Sequence, residues 1–159
     1  MKKIYKITIV IVFIIYILAI LYITLFSRGR AVNDMSIWEY ARRSVNIIPF
    51  KTIRLYIRWL VYGKDNTFVP IVNLFVNLIF MIPMSIMLPM IWEKFSKLIP
   101  SLLFSFVFLM MIEVLQLLTE RGSFDVDDLI LNLIGAVIGY FIYYIVERKI
   151  NKKEGKKDD

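Results

Sequence analysis

Long uncharged runs constrain this chain more than any other feature. Ile7 to Phe26 is twenty residues without a charge, and Phe68 to Trp92 is longer still. A third run, Leu98 to Leu118, is interrupted only by Glu113, and a fourth extends from Leu129 to Val146. Each is close to the roughly 20 residues that cross about 30 Å of hydrocarbon as helix. The mean hydropathy of +0.69 is too high for a soluble domain of this length. The expected fold is therefore all-α. A polytopic membrane bundle of about four transmembrane helices forms one domain over 1–147, with a short interfacial amphipathic helix and a charged, disordered tail over 148–159.

The first run could be mistaken for a signal peptide, because Lys2 and Lys3 precede it. Its apolar core exceeds the roughly 7–15 residues of a signal h-region, and Leu25-Phe26-Ser27-Arg28 offers no small-x-small cleavage site. It reads as a retained span. The chain has no cysteine and no histidine. Disulfides, zinc sites of the Cys/His kind, thiol nucleophiles and imidazole acid–base chemistry are thereby excluded. A net charge of +7 invites a nucleic-acid reading. In a polytopic membrane protein, Lys and Arg instead orient the spans and touch anionic headgroups. The expected partners are lipids, not nucleic acid.

Between the first two spans lies a long connection. Lys51, Arg54 and Arg58 recur at i, i+3 and i+7, with Ile53, Ile57, Trp59 and Leu60 around the rest of the turn. That pattern predicts a short helix in the interface, its basic face toward headgroups, with Arg42 and Arg43 extending the basic surface. The second span is expected to start near Pro70 with Thr67 as cap, and to kink at Pro83 and Pro89, each of which removes a backbone donor. A basic flank on the first helix favours cytoplasmic termini. Only a bare majority of the 20 basic residues then lies inside, so the basic outer loop calls for an anionic partner.

In either orientation, the second span begins, the third ends and the fourth begins on the side of the long loop. Asn73 and Asn77 are one and two turns into the second span, and Glu113 and Gln116 end the third. Asp125, Asp128 and Asn132 open the fourth at i, i+3 and i+7. At 1.5 Å per residue these groups lie within roughly 10 Å of one surface. A buried charge costs about 2.5–3.5 kcal/mol on insertion scales, so such a group marks a polar interior or a site. Gly135 and Gly139 continue the Asp128–Asn132 stripe and predict close helix packing there, which turns the stripe toward the bundle.

The same residue types also serve purely structural ends. Asp125 could cap the fourth helix, with Asp127 and Asp128 favoured in its first turn by the macrodipole. Arg121 could pair with one of these acids, and Glu113 could be held by Asn73 or Asn77 as interhelical glue.

Together these residues resemble the VanZ-like family of bacterial membrane proteins, over roughly Arg43 to Tyr140. Arg43-Ser44-Val45-Asn46-Ile47-Ile48-Pro49-Phe50 is similar to the family's Asn-x-x-Pro-Phe motif, which adds Asn46 to the candidate polar cluster. Asn77, Met81 and Pro83 follow the second motif, although Ser85 stands where the family typically has glycine. Glu113-x-x-Gln116, Arg121, Asp125, Asp128, Asn132 and Gly135 form the third. The resemblance implies a role in low-level resistance to glycopeptide antibiotics of the lipid-tailed teicoplanin type.

Two functions are open at this point. A non-catalytic protein would bind or displace an amphiphile at the outer leaflet, such as a cell-wall lipid intermediate or a lipid-tailed glycopeptide. It would need no cofactor. Arg42, Arg43, Lys51, Arg54 and Arg58 would attract phosphate, and the polar cluster would engage sugar or amine groups. Alternatively, an enzyme would act on a lipid-linked wall component, with Glu113 as general base and Asp125 and Asp128 holding Mg²⁺ or Ca²⁺. A transporter fits less well, since four short spans show no inverted repeat.

Overall fold

Four helices are long and apolar enough to cross a membrane, over Ile4–Leu25, Phe68–Ile91, Leu98–Leu118 and Val126–Ile150. They form a helical bundle in a computed structural model that describes residues 2–26, 36–63 and 67–155. Arg28, Arg30 and Lys64 of the basic connection lie outside the described residues. The elements are α1 (Lys2–Leu25), α2 (Ile37–Ser44), β1 (Val45–Asn46), α3 (Lys51–Tyr62), α4 (Phe68–Phe80), α5 (Ile82–Ile91), α6 (Leu98–Leu118), β2 (Phe124–Asp125) and α7 (Val126–Gly155).

α7 is the central helix and packs against α4, α5 and α6, whereas α1 lies at the periphery against α5 and α6. The core is built mainly from Met81, Met84, Leu88 and Ile91 around α5, with Leu109, Leu129, Ala136 and Phe13. On α1, Ile7, Ile11, Ile14, Ile15 and Leu18 remain exposed. They form the apolar surface that a bilayer would cover. The Gly135 and Gly139 stripe meets the second span at close range. A Cβ at Gly135 would lie 1.9 Å from the Leu78 carbonyl oxygen, and one at Gly139 would lie 2.5 Å from that of Ile82.

The second span is broken at Met81, between α4 and α5, and Pro83 occupies the first turn of α5. Proline lacks the donor for the carbonyl four residues earlier, so the ladder opens just before it. The Tyr16 hydroxyl of α1 donates to the carbonyl of Phe80 at this break. Pro89 lies inside α5, which ends two residues later at Ile91.

Three features depart from the sequence expectation. The long connection holds α2 in addition to the amphipathic α3. Residues 45–46 and 124–125 pair as two short parallel strands, Val45 opposite Phe124 and Asn46 opposite Asp125. The segment expected to be a disordered tail from 148 instead continues α7 as helix through Gly155. Residues 147–153 alternate Glu, Arg and Lys with Ile150 and Asn151, and contain no glycine or proline to stop a helix already nucleated in the bundle.

Candidate functional site

The turn after α6 sets the geometry. Glu120 adopts the left-handed conformation (φ 56°), its N–H donates to Leu117 and the Arg121 N–H donates to Gln116. This is a Schellman closure, made here with a glutamate where glycine is usual. It returns the chain toward the bundle so that Phe124 and Asp125 pair with β1. Asp125 then sits at the N-cap position of α7, and its Oδ1 accepts the Asp127 N–H at 2.9 Å.

The polar residues fall into two groups with a separate helix cap. In the first group, Asp125 is buried and also accepts from Asn46 Nδ2 at 2.9 Å and from the Thr52 hydroxyl at 2.6 Å. The Asp125 N–H donates to Glu113 Oε2 at 3.2 Å. Asp127 is completely buried, and its carboxylate accepts N–H donors from Phe50 (2.5 Å), Thr52 (2.7 Å) and Ile53 (3.0 Å). These donors open α3, whose own N-cap residue, Phe50, offers no side-chain acceptor. Asp127 therefore caps α3 from across the fold. In the sequence, Asp127 lies off the stripe of Asp125, Asp128 and Asn132 and reads as a first-turn acid favoured by the macrodipole. The available signal was an amphipathic helix beginning after Pro49-Phe50 with no local capping residue.

Arg121 is the separate cap. It does not pair with the acids. Its Nη1 donates to the Leu25 carbonyl at 2.8 Å, and its guanidinium packs over Phe26 at 5.5 Å. Gln116 Nε2 donates to the neighbouring Thr24 carbonyl at 3.3 Å. Both residues thus hold the C-terminal end of α1, where a cation also complements the helix dipole.

The second polar group lines a cavity of about 80 Å³ between α1 and the bundle. Asn77, Glu113, Gln116, Asp128 and Asn132 supply its polar wall, with Thr24 from α1. Asn77 Nδ2 donates to Asp128 Oδ1, and Asn132 Nδ2 donates to the Asp128 carbonyl at 2.8 Å. Asn132 is 4% exposed, and its Oδ1 has no hydrogen-bond partner. Asn73, a turn earlier on α4 and half-buried, does not line this cavity. A second, apolar groove of about 270 Å³ adjoins it, lined by Tyr16, Ala19, Ile20, Ile79 and Pro83. The two share Ile23, Val76 and Phe80. Several of these groove residues are exposed, so the groove opens on the bundle's outer surface.

Asp125 and Asp128, the pair considered for Mg²⁺ or Ca²⁺, face different neighbours: Asn46 and Thr52 for one, Asn77 for the other. Among the described residues, no three His, Cys, Asp or Glu side chains are grouped as a metal site would require.

On α3, Thr52, Ile53, Tyr56 and Leu60 turn toward the protein, while Lys51, Arg54 and Arg58 are exposed on the opposite face. Leu55, Trp59 and Tyr62 flank the basic stripe and are also exposed. Arg42 and Arg43 are exposed on α2, and Arg43 pairs with Glu39 at 2.9 Å.

The chain matches the VanZ/LLP1 family over residues 13–147. The chain belongs to this family. Protein VanZ of Enterococcus faecium is 24% identical over 140 residues, which cover 88% of this chain and 76% of that protein. No solved structure matches. With four apolar spans, this VanZ/LLP1 member is a multi-pass membrane protein.

Proposed function

We propose that this chain binds or displaces an amphiphile at the outer leaflet of the bacterial cytoplasmic membrane, and thereby contributes to low-level resistance to teicoplanin and related lipid-tailed glycopeptides. The observation that carries this reading is the junction of two unlike spaces. A small polar cavity meets an apolar groove at Ile23, Val76 and Phe80, between α1 and the broken second span. A polar head would enter the cavity while its chain lies in the groove. The cavity alone is far below the roughly 300–1,000 Å³ of typical ligand sites, so it takes one small group and not a whole sugar headgroup.

The basic stripe of α3 supports the same reading. Lys51, Arg54 and Arg58 point away from the protein between exposed apolar residues, the disposition of a helix lying in the headgroup layer. With the termini cytoplasmic, this stripe and the mouth of the cavity belong to the outer leaflet. The alternative is an enzyme acting on a lipid-linked wall component with Glu113, Asp125 and Asp128. It has less support, because Asp125 is engaged in holding Asn46 and Thr52.

Purified protein in nanodiscs tests the proposal directly. Saturable binding of teicoplanin or of a cell-wall lipid intermediate is expected. Ala19→Trp, which fills the groove without touching the polar wall, should abolish it at unchanged abundance. The absence of saturable binding to either ligand would overturn the proposal. Lipid and wall-precursor profiles that change with the protein's presence would favour the enzyme instead.

A further inference from the structure

A third space opens at the end of the bundle opposite the polar cavity. Pro89 and Met90 of α5 form its floor, between Tyr5 of α1 and the face of α7 that carries Ile142, Val146 and Glu147. Its volume of about 350 Å³ falls within the roughly 300–1,000 Å³ of ligand sites. Tyr5, Ile142 and Val146 are exposed, so this groove faces the surrounding bilayer.

Its depth follows from the chain. Four spans return the end of α7 to the side on which α1 begins. The apolar run of α1 starts just after Lys6, and that of α7 stops just before Glu147. Both charges therefore stand at headgroup level, with the apolar part of the groove beneath them. Lys6 is at i−4 from Val10 and i−7 from Phe13, on the stripe of α1 that packs into the core. Lys149 is at i+7 from Ile142 and i+3 from Val146, on the groove side of α7. Both lysines are exposed. Among the described residues, neither they nor Glu147 enter an ion pair. One hydrogen bond from Tyr143 leaves the Glu147 carboxylate most of its roughly four acceptor positions.

An acid in the wall and two lysines at the mouth select a headgroup that carries both signs. A phosphate answers the lysines, and an ammonium answers Glu147. A purely anionic head would set its charge against the acid. A quaternary choline is positive but has no N–H to donate. We infer that this groove binds an aminophospholipid, with its primary ammonium on Glu147, its phosphate between Lys6 and Lys149, and its chain along Pro89, Met90 and Val146. The site is separate from the polar cavity and does not depend on the function proposed above.

Three lipids with the same chains separate the possibilities: phosphatidylethanolamine, phosphatidylcholine and phosphatidylglycerol. Native mass spectrometry of the full-length protein released from micelles would count retained lipids and rank their affinities. One phosphatidylethanolamine per chain is expected, held about tenfold tighter than either of the others, as one charge-assisted hydrogen bond provides. Glu147→Gln should erase its advantage over phosphatidylglycerol, whereas Lys6→Gln combined with Lys149→Gln should weaken both. Val146→Trp, at an exposed position of the wall, should fill the groove and abolish retention. Equal retention of the three lipids, or a preference for phosphatidylglycerol, would overturn the aminophospholipid site. A preference that survives Glu147→Gln would overturn it too. The ranking by the unmodified protein is decisive even where a variant fails to fold.

Discussion

Asp127, in the first turn of α7, accepts the backbone N–H of Phe50, 77 residues earlier, at 2.5 Å. With the Thr52 and Ile53 donors, this one carboxylate satisfies the opening of α3 and ties the interfacial helix to the centre of the bundle.

Removing that carboxylate should release α3. Asp127→Ala leaves three donors without their acceptor, and each buried group left unsatisfied costs about 1–3 kcal/mol. A lower unfolding midpoint in detergent is expected, with Asp127→Asn falling between the two because it keeps one acceptor oxygen. Arg54→Ala, on the exposed face of the same helix, should leave the midpoint within error. If Asp127→Ala unfolds no earlier than the native chain, the capping role is wrong.

Asp128→Asn asks a different question. Asparagine keeps the size and an acceptor oxygen for Asn77, and it is well tolerated near helix N-termini. Membrane abundance should stay unchanged while protection against teicoplanin disappears, because the substitution removes charge from the cavity wall. Native-level protection by an equally abundant variant would remove Asp128 from the functional site.

Substitutions in the glycine stripe should act through packing. A Cβ at Gly135 would fall 1.9 Å from the Leu78 carbonyl oxygen, backbone that cannot swing aside. Gly135→Ala and Gly139→Leu should each lower abundance and activity together, with overpacking costs of about 1–3 kcal/mol. Immunoblots of membrane fractions beside activity would show this. Full abundance with lost activity would point instead to a direct role at the site.

Orientation can be read with single cysteines, since the chain has none of its own. Ser123 and Lys97 are exposed at opposite ends of α6. A membrane-impermeant thiol reagent should label Ser123→Cys in intact cells and Lys97→Cys only after permeabilisation. The reverse pattern would place the cavity mouth toward the cytoplasm.

The sequence made the four spans legible because apolar runs of about 20 residues have few other outcomes. It also showed that Asn77, Glu113, Gln116, Asp128 and Asn132 reach one level, since helix rise and antiparallel order determine depth. Their division into groups was hidden. Asp125 shares a stripe with Asp128 on a helical wheel, yet it sits at the N-cap, where the backbone is no longer helical, and turns to Asn46 and Thr52. Arg121 looked like a partner for the acids beside it in sequence, but the Schellman turn carries it to Leu25. Ser85 seemed a misfit for close packing. The residue facing it is Gly139, whose added Cβ would come within 3.0 Å of the Ser85 Cβ, so the missing side chain on one helix makes room for the extra one on the other.

The hold that Gln116 and Arg121 keep on the Thr24 and Leu25 carbonyls gives the molecule a history as well as a shape. A ribosome delivers α1 to the membrane some 90 residues before either donor is made. In the interval its outer carbonyls have only water and headgroups for company. The groove beside α1 needs only the first two spans, but the polar cavity it adjoins gains Glu113, Gln116, Asp128 and Asn132, and closes, only as the last third of the chain arrives.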